Sequence, residues 1–525
     1  MSGIGTVELV FLLLLFFIVV FGIFARKVGT PYPIIMVLGG WLLSFAPAIP
    51  DFTLNPDLIF LVVLPPLLYA SAWTTSWRDF RYNIISISFL AFGLVAFTVI
   101  GVALAAPRVF PGFDWRLGLV LGAIVAPTDA IAATSIARRI GLPARIVDIL
   151  EGESLINDAT GLLALQFATG ILVQKRIPTI SGGVLTLAWL TAGGVAIGLA
   201  IGWIVDHFER RIDDGPIEVT ISILVPYAAY LSAQTVHASG VLAVVSCGLF
   251  LSRRSARLFS PSVRIGAWSV WQSLTFILNG LVFVLIGLQF PSVRATIRSY
   301  SLSTLILYGA IFSALLILLR LAWVFPGAHL SYWIRRRFSH QNETPPEARQ
   351  VFVVGWTGMR GVVSLAAALA LPTLLVDGSP FPHRNMIVYL TFCVILVTLV
   401  LQGLTLPPLI RFLGLAGEAG PDCEELDARR IVTQAAVSHL EGARARDNDK
   451  STEVYEDLTH HYRERLASLK VNTSPGEVTD HERHLELSLE ALKVERETAI
   501  RLRNEGRIND SVLRRIEREL DLSES

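Results

Sequence analysis

Long apolar runs separated by short polar loops dominate the first four-fifths of the chain. A membrane span needs roughly 20 mainly apolar residues. Thirteen runs fit that description: 6–25, 32–48, 56–74, 83–106, 117–137, 146–173, 183–205, 217–236, 239–252, 269–290, 302–326, 350–371 and 385–412. The run at 239–252 is short, and only His237-Ala-Ser joins it to the run before. The pattern predicts an all-α membrane protein with about 13 transmembrane helices over residues 1–415. Residues 416–525 read differently. Glu424–Leu469 and Glu482–Leu520 are rich in Glu, Arg, Leu and Ala, with apolar residues at helical spacing. Asn472-Thr-Ser-Pro-Gly476 breaks them. This predicts a cytoplasmic helical tail, a hairpin or small bundle, with no ligand signature to mark a regulatory site.

Composition agrees with the pattern. The 525 residues are 53% hydrophobic and 17% charged, with mean hydropathy +0.57, which is too apolar for a soluble enzyme. Of the 87 Lys, Arg, Asp and Glu residues, 41 follow residue 420 (17 basic, 24 acidic), so the net +1 divides into +8 for the membrane part and −7 for the tail. Alternate loops carry 17 and 7 basic residues. The positive-inside bias then places the tail in the cytoplasm and the N-terminus outside a plasma (inner) membrane. The first run lacks a basic leader and ends in Arg26-Lys27, so it reads as a membrane helix rather than a cleaved signal. Cys247, Cys393 and Cys423 are scattered, and there is no His-Glu-x-x-His, so neither a disulfide framework nor zinc is expected. No cofactor and no nucleic-acid partner are expected, and the apolar runs make membrane lipid the expected surroundings.

Four features put polar residues inside apolar runs. Glu151-Gly-Glu-Ser-Leu-Ile-Asn-Asp158 lies in the sixth, three residues after Asp148, and no further charge follows until Lys175. A charge inside a bilayer costs roughly 3 kcal/mol or more, which makes it a functional-site hypothesis. On a helix, Glu153 and Asn157 are i,i+4 neighbours, as are Ser154 and Asp158. The second feature is Ala126-Pro-Thr-Asp-Ala130. Pro127 removes a backbone donor and predicts a kinked or unwound helix, with freed carbonyls and Asp129 beside the break. The third is Gly355-Trp-Thr-Gly-Met-Arg360-Gly361 in the twelfth run. Runs five and twelve point in opposite directions and each is interrupted, the pattern of inverted repeats around a transport site. No residue-level repeat is visible, so that expectation rests on position and hydropathy. The fourth is Arg320, between Leu315–Leu319 and Leu321–Phe325. It either pairs with Glu153 or Glu151, or snorkels to the interface about six residues away.

Oxygen-rich, sulfur-free chemistry suits protons and hard cations. One carboxylate that binds a proton or a cation, never both, is enough for exchange. Asp158 is the expected carrier. Glu153 held by Arg320 stays ionised, and Asn157 carries no proton. One titrating group predicts one proton for one monovalent cation, which is electroneutral. Glu151 either lines an access path or is solvated.

The chain resembles the monovalent cation/proton antiporter family, which includes the bacterial sodium/proton antiporters of the NhaP type and the animal sodium/hydrogen exchangers. The resemblance covers about residues 5–415. It rests on Ala126-Pro-Thr-Asp129, Glu151–Asp158, Leu231-Ser-Ala-Gln with His237-Ala-Ser-Gly-Val-Leu-Ala-Val, Asn279-Gly-Leu-Val-Phe-Val-Leu-Ile-Gly287, Arg320-Leu-Ala-Trp-Val and Gly358-Met-Arg-Gly, in that order. It implies a homodimer with a core domain and a dimerisation domain. Two unwound helices would cross beside the ion, and the core would move against the dimer scaffold like an elevator. It also implies Asp158 as carrier, Ser154 and the Thr128 carbonyl as Na+ ligands, and Glu153–Arg320 as a buried salt bridge. Pro127, Asp129 and Arg360 would support the crossing. Asn157, where electrogenic relatives carry Asp, again implies electroneutrality. Sodium (or lithium) for protons is the expected exchange, in the service of pH and sodium homeostasis. Potassium for protons uses the same site. A channel or ion sensor would show conductance. An intramembrane aspartyl protease would carry Gly-x-Gly-Asp, which this chain lacks.

Overall fold

A computed structural model of the chain describes residues 3–45, 56–174, 180–212, 214–254, 261–295, 297, 300–338, 345–375, 378–417, 423–444, 452–468, 475–505, 507, 512, 513, 516 and 520. It forms two compact units, residues 1–419 and 420–525. The first contains α1 (Gly3–Val28), α2 (Tyr32–Leu43), α3 (Pro56–Thr74), α4 (Trp77–Val109), α5 (Trp115–Val125), α6 (Ala130–Ile140), α7 (Ala144–Gln174), α8 (Ile180–Glu209), α9 (Gly215–Thr235), α10 (Gly240–Ser252), α11 (Pro261–Leu288), α12 (Phe290–Ala295), α13 (Leu302–Phe338), α14 (Ala348–Trp356), α15 (Val362–Leu369) and α16 (Arg384–Phe412). The described residues form no β-strand, only an isolated bridge between Leu374 and Pro380.

Ten helical stretches are long and apolar enough to cross a membrane by length and composition. The expected runs 32–48 and 239–252 fall on the shorter apolar helices α2 and α10. The expected run 350–371 is divided between α14 and α15. Helix α13 continues to Phe338, beyond the apolar run 302–326, ending in Arg335, Arg336 and Arg337. Its Pro326 lies inside the helix without ending it.

Helix starts follow from capping chemistry. Asp114 Oδ1 accepts from the Leu117 amide at 2.9 Å at the start of α5. Ser239 Oγ does the same for Leu242 at 3.3 Å at the start of α10. Such side chains satisfy amides that a helix leaves unpaired in its first turn.

Burial separates peripheral helices from central ones. In the apolar window of α8, 18% of residues are buried, against 72% in the stretch Trp115–Ile140 that holds α5 and α6. Exposed Phe16 on α1 and Trp203 on α8 fit an environment of lipid rather than water. The larger apolar core joins Met36, Tyr69, Ile87, Leu155, Val244, Phe283, Met359 and Leu406. A second gathers Phe110, Leu121, Phe312 and Leu390. π-helical turns interrupt α3 (Ile59–Val63), α4 (Phe89–Leu94) and α16 (Thr398–Gln402). Such turns put a local step into a helix and are frequent near functional sites.

The second unit contains α17 (Cys423–Arg444), α18 (Thr452–Ser468) and α19 (Pro475–Asn504). The helical stretch expected over Glu424–Leu469 is occupied by two helices, α17 and α18. They are tied by Arg444–Glu456 and Arg463–Glu441 ion pairs, each at 2.6 Å. Charged side chains at the ends of both helices favour a hairpin that apolar periodicity alone does not distinguish from one long helix. The expected break at 472–476 falls on residues mostly outside those described, as does much of the expected helix beyond Asn504.

Candidate functional site

Two interrupted helices meet at the centre of the first unit. Between α5 and α6 the chain leaves the helix at Pro127, Thr128 and Asp129. Between α14 and α15 it leaves at Thr357–Gly361. Each break satisfies the other's backbone. The Asp129 amide donates to the Met359 carbonyl at 2.8 Å. Arg360 Nε donates to the Val125 carbonyl at 3.0 Å, at the end of α5. Arg360 also donates to its neighbour Gly358 O, and its own amide donates to Thr398 Oγ1 at 3.1 Å, in the π turn of α16. Arg360 is 1% exposed. Its guanidinium fills the gap left by unwinding, because an unwound segment at membrane depth needs internal partners for its polar groups.

Asp129 caps α6, with Oδ1 accepting from the Ile131 amide at 2.8 Å. Gly361 lies against this carboxylate, and a Cβ there would overlap it. Gly161 on α7 similarly presses on the Pro127 ring. The close approach of three backbones explains glycine at both positions.

Helix α7 supplies two polar faces. On one, Glu153 accepts from Arg320 Nη1 at 2.5 Å and from Nη2 at 2.9 Å. Both residues are 1% exposed. Arg320 Nη2 also donates to the Val354 carbonyl at 3.0 Å on α14. Thr128 Oγ1 donates to Glu153 Oε1 at 3.0 Å, and Asn157 Nδ2 donates to Thr128 Oγ1 at 2.7 Å. The chain Asn157–Thr128–Glu153–Arg320 is thus one buried network. Of the two alternatives for Arg320, the geometry has pairing with Glu153.

On the other face, Ser154 Oγ accepts from the Ala130 amide at 3.3 Å. The Asp158 carboxylate makes no hydrogen bond or ion pair among the described residues. It lines a cavity of about 60 Å³ with Pro127, Thr128, Asp129, Ser154, Asn279 and Ser364, walled by Leu64, Leu67 and Leu68 of α3. That volume holds a few water-sized occupants. The site contains three carboxylates (Asp129, Glu153, Asp158) and two guanidiniums (Arg320, Arg360), so one negative charge is uncompensated. The donor set, with carboxylate, hydroxyl and carbonyl oxygens, suits a hard monovalent cation.

The structure brings Asp158, Ser154, Thr128, Asp129 and Pro127 to one cavity. Asn157 does not line it and points into the salt-bridge network. Glu151 stands apart and accepts from Arg138 Nη2 at 2.6 Å. Two cavity residues went unread as site residues. Asn279 belongs to a motif that carried the resemblance. Ser364 is 1% exposed and its hydroxyl has no partner among the described residues. Its only signal was a hydroxyl three residues past Gly361 in an otherwise apolar helix.

Comparison with known proteins bears on the family and the fold. Residues 12–412 match the family model described as sodium/hydrogen exchanger, transmembrane. Escherichia coli YjcE, described as an uncharacterized Na+/H+ exchanger, is 30% identical over 533 residues, covering 94% of both chains. The sodium, potassium, lithium and rubidium/H+ antiporter of Bacillus subtilis is 32% identical over 515 residues, covering 95% of this chain and 75% of that one. The solved structure of the sodium proton antiporter MjNhaP1 from Methanocaldococcus jannaschii superposes with a TM-score of 0.60 at 20% identity. It covers 79% of this chain and all of that one, a likeness of fold.

Proposed function

The chain belongs to the sodium/hydrogen exchanger family, and on that premise we propose that it exchanges sodium or lithium for protons at Asp158. The observation that carries this reading is a carboxylate without a protein partner in a small cavity, beside two helix breaks. Cation and proton compete for Asp158, with Ser154, Thr128 and Asp129 completing the oxygen set. Glu153 is neutralised by Arg320 and Asn157 is uncharged, so a single group titrates per cycle. That supports electroneutral 1:1 exchange.

Residues around the two breaks would form a core that moves against a scaffold in a homodimer, carrying the ion across a plasma membrane with the second unit in the cytoplasm. Such alternation around a fixed site between inverted halves is how broken-helix transporters work. Potassium is the second reading, favoured by the name of the Bacillus subtilis relative.

The test is dequenching of a pH-sensitive dye in proteoliposomes on addition of sodium, lithium or potassium across pH. Sodium and lithium should respond, with an apparent KM that rises as pH falls, because protons compete for the same carboxylate. A potassium response of equal size selects the second reading. Asp158→Asn responding like the wild type overturns the carrier assignment.

A further inference from the structure

A second cavity, of about 580 Å³, opens at the arginine-rich end of the first unit. Arg26 at the end of α1, Arg139 at the end of α6 and Arg411 at the end of α16 all line it. Thr30, Tyr32 and Ser135 add hydroxyls, and no carboxylate is among its lining residues. Arg139 spends one donor on the Gly29 carbonyl, at 2.7 Å. The side chains of Arg26 and Arg411 make no hydrogen bond or ion pair among the described residues. Among the described residues, three cations therefore face one void with no carboxylate lining it. Like charges a few ångströms apart repel by about 1 kcal/mol in water and by more where the dielectric falls.

Guanidinium forks match the oxygens of a phosphoryl group in geometry and charge. The volume lies in the range of pockets that hold whole small ligands, roughly 300–1,000 Å³, so a phosphorylated headgroup fits as well as the bare ion. Phe412, next to Arg411, is 87% exposed, and Phe24 and Val28, two residues either side of Arg26, are also exposed. A basic cavity on helices that also carry exposed apolar side chains is suited to an anionic lipid whose chains lie along those helices.

We propose that Arg26, Arg139 and Arg411 bind an anionic phosphoryl group in this cavity, supplied by the headgroup of an anionic phospholipid. The ligand would link α1 to α6 and α16. Tyr32 lines this cavity and lies beside Asn279, which lines the carboxylate cavity, so one layer of side chains separates the two. The proposal does not depend on which ion is transported.

The test is the melting of the purified full chain in detergent, titrated separately with phosphatidylglycerol, phosphatidylcholine and inorganic phosphate. The comparison is with Arg26→Gln, Arg411→Gln and the triple Gln variant. Phosphatidylglycerol should raise the wild-type midpoint saturably, whereas zwitterionic phosphatidylcholine should not. Each single variant should bind about tenfold or more weakly, the loss of one charge-assisted contact. Native mass spectrometry should show the lipid retained by the wild type and lost from the variants. A shift with inorganic phosphate alone, lost in the variants, supports the phosphoryl site but overturns the lipid as its source. Equal shifts in wild type and single variants, or none in the wild type, overturn the site. The single variants keep the test decisive should the triple variant fail to fold.

Discussion

Glu153 and Asp158 are two carboxylates on one helix, five residues apart, and both are buried. Glu153 receives two bonds from Arg320 and one from Thr128. Asp158 receives none from the described residues. The first is a finished ion pair. Breaking such a pair strands a buried charge, whereas replacing both partners by apolar residues can be nearly neutral. The second carboxylate has no such partners, and in the proposed function a mobile ion takes their place. Both residues are buried; saturation by protein partners separates them.

The largest expected effect breaks the carrier half of this contrast. Asp158→Asn should bring cation-driven proton flux in proteoliposomes down to the protein-free background, while its melting point moves by less than about 2 °C, since no protein bond is lost. Next comes the scaffold half. Arg320→Ala should destabilise the fold by about 3–5 kcal/mol in thermal melts, and Arg320→Met combined with Glu153→Leu should recover most of that loss. If the double variant melts no higher than the single one, the bonds to Thr128 and to the Val354 carbonyl, and not the ion pair alone, carry the stability. Gly361→Ala drives a Cβ into the Asp129 carboxylate and should cost about 1–3 kcal/mol of stability by overpacking. The smallest effect belongs to Ser364→Ala. Losing one neutral oxygen contact to the ion should raise the apparent KM about 2- to 10-fold at an unchanged maximum rate. An unaltered KM would leave the Ser364 hydroxyl without a role at the cavity.

Legibility along the chain follows the range of the physics. Both helix breaks were readable because their causes are local: Pro127 at one, and a run of glycines around Arg360 at the other. The i,i+4 pairing of Glu153 with Asn157 and of Ser154 with Asp158 was readable from helical geometry. Which face meets the cavity was not, because that depends on where α13 and α14 place Arg320 and the Val354 carbonyl. Asn157 donates to Thr128 in the salt-bridge network and is not among the residues lining the cavity. The Arg138–Glu151 pair was missed because it closes across the turn between α6 and α7. Ser364 carried almost no sequence signal. The helix α13 outran its apolar stretch because hydropathy measures the membrane and not the helix.

The central claim is that one carboxylate holds either a proton or a cation. Proton release on cation binding reads that competition directly, in purified protein and without any transport step. Sodium titrated into weakly buffered, detergent-solubilised protein containing a pH indicator should release about one proton per sodium bound at a pH where Asp158 starts protonated, and none in Asp158→Asn. Sodium bound by the wild type with no proton released at any pH would contradict the account.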